Sequence, residues 1–122
     1  MSYLFYKVVH LAGIFLMLLA LGGVATHAQN GGTKQDNSAR KKLAFFHGGG
    51  LFLILLGGFG MLAKLGIHWP WPSWVIAKFT IWILLGGLIA LLYRKPAFAS
   101  RGLYITFVLA FLAAYVAIYK FI

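Results

Sequence analysis

Apolar positions along the chain fall into four long runs, at about 3–26, 43–65, 74–93 and 102–119, and polar residues collect between them. Each run is close to the ~20 residues an α-helix needs to cross a hydrocarbon layer about 30 Å thick. The pattern predicts an all-α membrane protein with one domain, 1–122, whose four transmembrane helices form an up-down-up-down antiparallel bundle. The first run could pass for a secretory signal. Its apolar stretch, 8–25, is longer than the roughly 7–15 residues of such a segment, so it reads as helix one.

The polar breaks set the topology. Residues 27–42 hold His27, Asn30, Gly31, Gly32 and Asn37 with the cations Lys34, Arg40, Lys41 and Lys42, and read as an exposed connection. The second break, 66–73, carries His68 and the run Trp69-Pro70-Trp71-Pro72. Its prolines separate two helices, and its tryptophans favour the headgroup level. The third is a short basic turn with Arg94, Lys95, Pro96 and Arg101. Loops one and three share a side and a dense positive charge, whereas the opposite side has little beyond Lys7, Lys64 and Lys120. The positive-inside rule puts loops one and three in the cytoplasm and both termini in the periplasm of a bacterial inner membrane.

Composition narrows the chemistry. With 62% hydrophobic residues among 122, the chain is too apolar for a soluble domain of its size. Its net charge of +10 therefore reads as topology, not as nucleic-acid binding. The absence of cysteine excludes disulfides, thiolate metal sites and thiol nucleophiles. Asp36 is the only acid, which excludes a carboxylate dyad, a Ser-His-Asp triad, an acidic divalent-metal cage and an acidic proton relay. The polar residues form no continuous line across the bilayer, so a channel or transporter is the weakest reading. Chemistry is left to His, Lys, Tyr, Trp or a bound cofactor.

Lys78 interrupts the third apolar run. An ammonium there costs roughly 2.5–3.5 kcal/mol on insertion scales, so it either faces the protein interior or snorkels to the interface. Trp74, Lys78, Trp82 and Leu85 share one helical face, with indoles on both sides of the ammonium. At ~1.5 Å per residue His10 lies roughly 10 Å below the outer end of helix one, a depth that Lys78 matches. His47 enters helix two from the other side and is staggered from His10 by about 10 Å along the bundle. His10 is open to three readings: a hydrogen-bonded structural residue, a haem or metal ligand, or a proton carrier. The glycines of helix two (Gly48, Gly49, Gly50, Gly57, Gly58 and Gly60) would admit either a neighbouring backbone or a flat ligand.

Lys7 and His10 opening helix one, His47 near the start of a glycine-rich helix two, and Trp74 with Lys78 opening helix three resemble the small membrane proteins of the SirB, CopD and HemJ type. The resemblance covers most of the chain. It implies b-type haem and either electron transfer or porphyrin oxidation of the protoporphyrinogen oxidase kind. On that reading His10 is a catalytic or axial-ligand residue with Lys78 as its partner. His10 and His47 are the metal-ligand candidates, and Lys64, His68 and Lys78 would serve the propionates. The alternative class is a non-catalytic membrane subunit or assembly factor, docked on a larger membrane complex or on further copies of itself through its glycine and alanine faces.

Overall fold

A computed structural model describes residues 2–119, so Lys120 lies outside the described residues. Four long helices appear there: α1 (Tyr3–Gln29), α2 (Arg40–Lys64), α3 (Ser73–Arg94) and α4 (Ala99–Tyr119), with a short 3-10 turn, Pro96–Phe98, before α4. Each is long and apolar enough to cross a membrane. At ~1.5 Å per residue their lengths of 27, 25, 22 and 21 residues all reach about 30 Å or more.

Local chemistry sets the ends. Ser2 caps α1 by accepting a hydrogen bond from the Phe5 amide at 3.1 Å. The same helix runs three residues past its apolar stretch, to Gln29, because its stop signal is Gly31 at φ +85°. The Gly32 amide donates to the His27 carbonyl and the Gly31 amide to that of Ala28, so the last carbonyls are satisfied. Gly66, at φ +72°, ends α2 in the same way through the amides of Ile67 and Gly66. The first turn of α2 takes in Arg40, Lys41 and Lys42, all exposed, which moves its start three residues before the apolar run.

The closest seam joins α1 to α2 and is built from glycine. A Cβ on Gly13 would lie 2.6 Å from the Gly50 carbonyl oxygen, one on Gly50 would lie 2.6 Å from that of Gly13, and one on Gly57 would lie 2.5 Å from the His10 nitrogen. Only hydrogen in the side-chain position lets the two backbones approach this far. Tyr6 meets Gly60, His10 meets Gly57, Gly13 meets Gly50 and Gly23 meets Leu43, so the two helices run in opposite directions. Gly48 and Gly49, beside Gly50 in sequence, face open space.

Side-chain burial is concentrated at one end. Met17, Leu21, Val24, Ala25 and Ala28 of α1 pack with Leu85, Leu88 and Leu92 of α3 and Ala99 of α4 in a single cluster at the end that carries loops one and three. Toward the other end each helix has one buried residue among those described: Gly13, Gly57, Val75 and Val116. Large apolar side chains line the outside, among them Leu4, Phe15, Phe52, Ile83, Phe107 and Ile118, as expected where lipid tails are the solvent.

Candidate functional site

His10 stands in the sparsely filled half, on the α1 face that meets α2. Its Nδ1–H donates to the Ile54 carbonyl at 2.8 Å, which leaves Nε2 as the nitrogen with a lone pair. The ring lies over Gly58, whose Cβ, if present, would meet Nδ1 at 3.5 Å and Cε1 at 3.6 Å. Lys78 is partly buried and within electrostatic range of the imidazole. Both sequence candidates lie in the half toward loop two.

His47 is placed elsewhere. It is buried, at 6% exposure, and its Nε2–H donates to the Leu85 carbonyl of α3 at 3.2 Å. Seven residues of α2 separate it from Ile54, about 10 Å along the axis, so His10 and His47 do not converge. The Trp82 indole N–H returns a bond in the other direction, to the Leu51 carbonyl of α2, at 3.1 Å. His47 and Trp82 thus cross-link α2 and α3, and Leu85, on the Lys78 face one turn beyond Trp82, is buried. Lys64 and His68 are exposed at the loop-two end. Lys64 is ten residues from Ile54 on α2, roughly 15 Å along the axis.

Aromatic rings extend from loop two down to the same cross-link. Trp69 meets Trp71 at 5.2 Å between centroids, Trp71 meets Phe59 at 5.5 Å and Phe79 at 6.3 Å, and Phe79 stacks on Trp82 at 5.4 Å. The position after Lys78 is therefore fixed by rings on both sides.

Loop one is an ordered structure and not merely a polar connection. The His27 Nε2–H points to Asp36 Oδ1 at 2.7 Å and to the Thr33 carbonyl at 2.8 Å. The Thr33 amide also donates to Asp36 Oδ1, and the Asp36 amide to the Thr33 hydroxyl. The Thr33 amide and then His27 hold the Asp36 carboxyl below its ordinary value. Buried Asn37 donates to the Tyr93 hydroxyl at 3.1 Å, and Lys34 sits 5.9 Å from the centre of the Tyr93 ring. Neither Asn37 nor Tyr93 stands out in the sequence. The one sequence signal that could have found this fold of the loop is the chain's single carboxylate, Asp36, standing across a Gly-Gly turn from His27.

Among the described residues no three His, Asp or Glu side chains gather into a metal-binding group. The site supplies an imidazole whose Nε2 carries the lone pair, a neighbouring cation and, at Gly58, a position beside the ring with no side chain. A metal that brings its own macrocycle needs only the first of these as a protein ligand. No protein-family model, curated protein or solved structure matches the chain.

Proposed function

We propose that this chain is a small multi-pass protein of a bacterial inner membrane that binds b-type haem or a porphyrin at His10 and serves electron transfer or porphyrin oxidation within the bilayer. The observation that carries this reading is the His10 hydrogen bond. Donation from Nδ1 to the Ile54 carbonyl fixes the ring and the tautomer, the outer arrangement that metal-ligating histidines use, and leaves Nε2 for iron. Haem, when bound, supplies a one-electron couple at the iron. The chain's own residues orient and hold it: Gly57 lets the His10 backbone seat against α2, Gly58 keeps a side chain off the imidazole beside it, and Lys78 offers a cation to a propionate or to the substrate.

The visible spectrum of protein purified with haem supplied tests this directly. A b-type Soret and α band are expected, lost in His10→Ala and retained in His27→Ala. Lys78→Met is expected to weaken cofactor retention or turnover while leaving membrane insertion intact. A colourless wild type, or an unchanged spectrum in His10→Ala, overturns the proposal. The reading then moves to a non-catalytic subunit, which is favoured by α4 burying only Ala99, Gly102, Thr106 and Val116 of its 21 residues. The topology part of the proposal, loops one and three cytoplasmic, is checked by terminal reporter fusions. A reporter that reads cytoplasmic at the C-terminus contradicts it.

A further inference from the structure

Between α3 and α4 the protein leaves an open apolar groove of about 410 Å³, lined by Ile83, Gly87, Leu91, Phe98, Ile105 and Leu109 among others. The volume is within the ~300–1,000 Å³ of small-molecule sites. Its walls are two helical stripes. Residues 83, 87 and 91 recur every four positions on α3, and 105 and 109 do the same on α4. A Cβ on Gly87 would meet nothing within 4 Å, so the groove is open there down to the backbone.

Both stripes continue into a cation at the same end. Arg94 follows Leu91 by three residues on α3, and Arg101 precedes Ile105 by four on α4, so each lies one turn beyond the apolar part of its own stripe. Both are exposed, as is Lys95 between them. Arg94 is the last residue of α3, which puts this pair at the level where lipid phosphates lie. No acid competes for them: the chain's only carboxylate, Asp36, is occupied by the Thr33 amide and His27.

From this continuity we propose that the α3–α4 groove binds one anionic phospholipid, with an acyl chain along Ile83, Gly87, Leu91, Ile105 and Leu109 and the phosphate between Arg94 and Arg101. Basic clusters at the cytoplasmic ends of membrane helices recognise anionic headgroups, and guanidinium pairs suit phosphate oxygens. The site is separate from His10 and does not depend on haem.

Native mass spectrometry of the detergent-solubilised full chain, titrated with phosphatidylglycerol or phosphatidylcholine, tests the assignment. Wild type is expected to retain a single phosphatidylglycerol in preference to phosphatidylcholine. Arg94→Gln/Arg101→Gln should weaken phosphatidylglycerol binding by about tenfold or more, and Arg101→Gln alone should weaken it by less. Lys41→Gln/Lys42→Gln removes the same charge from the same end but off the groove, and should change binding by no more than about twofold. Gly87→Phe fills the groove with every cation intact and should reduce retention of both lipids. Wild-type retention in the double arginine variant, an equal loss in the double lysine variant, or an unaffected Gly87→Phe would each overturn the assignment.

Discussion

At the end carrying loops one and three, Met17, Leu21, Val24, Leu88 and Leu92 fill a common core, whereas toward the other end each helix buries one described residue, and two of those four are glycines. Lipid tails are as apolar as leucine, so burial from water does not drive helices together inside a bilayer. Association there has to come from fitted volume, close backbones or polar bonds. The filled end uses the first, together with the His47 bond to the Leu85 carbonyl. The sparse end uses the other two: the Gly13, Gly50 and Gly57 contacts between α1 and α2, and the His10 bond to the Ile54 carbonyl. His10 and Lys78 occupy the half in which α1 meets α2 backbone to backbone and aromatic rings join α2, loop two and α3.

The comparison is broken most severely at Gly57. A leucine there has no room, because its Cβ would fall 2.5 Å from the His10 backbone nitrogen. The α1–α2 seam would have to part along its length. Thermal unfolding in detergent, followed by circular dichroism, is expected to show no cooperative transition for Gly57→Leu. Gly58→Ala, whose Cβ makes ordinary contact with the His10 ring, should match wild type or exceed it by up to about 1 kcal/mol from helix propensity. If both variants melt like wild type, backbone proximity is not what holds that half.

The filled end should respond to volume instead. Leu21 is fully buried, and Leu21→Ala is expected to cost about 2 kcal/mol in the same unfolding assay. That is the low end of the range for such truncations, because lipid solvates the unfolded leucine as well as the core does. Leu4→Ala, at a residue 67% exposed, should cost less than about 0.5 kcal/mol. Equal losses at the two sites would remove the distinction between the ends.

A smaller effect is expected where α3 is tied to α2. Trp82→Phe keeps the ring stacked on Phe79 and removes only the indole bond to the Leu51 carbonyl. Interhelical hydrogen bonds in membranes average about 0.6 kcal/mol, and a loss of that order is expected in denaturant titration. A loss several times larger would mean that the indole bond organises the aromatic row and does not merely close it.

The slightest effect concerns loop one and is read by pH. The Asp36 carboxyl is depressed from 3.8 by the Thr33 amide and His27, so its contribution is present above its unfolded value and is lost as pH falls through the lower folded value. The protection factor of the Thr33 amide, its exchange rate relative to the intrinsic rate at each pH, should hold across neutral and mildly acid pH and fall only below the ordinary carboxylate range. Loss of protection that is already complete at neutral pH would mean that the Asp36 carboxylate does not hold the loop.

Much of this architecture was legible in the sequence because it rests on length, apolarity and helical period. The four helices, the stagger of His10 against His47 and the shared face of Trp74, Lys78, Trp82 and Leu85 all follow from counting positions. Helix ends were less legible: α1 reaches Gln29 because a positive-φ Gly31 stops it, a signal weaker than the polarity of His27. Which glycines pack was not legible at all. Gly48, Gly49 and Gly50 are adjacent and chemically identical, yet only Gly50 faces Gly13. The partners of His10, His47 and Trp82 are backbone carbonyls, which carry no residue-specific mark. The site's candidates could therefore be named from the sequence, but not what holds them.

The glycine seam lies wholly within the first half of the chain, between Tyr6 and Gly60. During synthesis the amino-terminal part emerges first, so every atom the seam requires exists before α3 has left the ribosome. The cross-links made by His47 and Trp82, and the leucine cluster that needs Leu85, Leu88 and Leu92, must wait for later residues. In order of manufacture, α3 and α4 are additions to a helical pair whose own contacts are already complete.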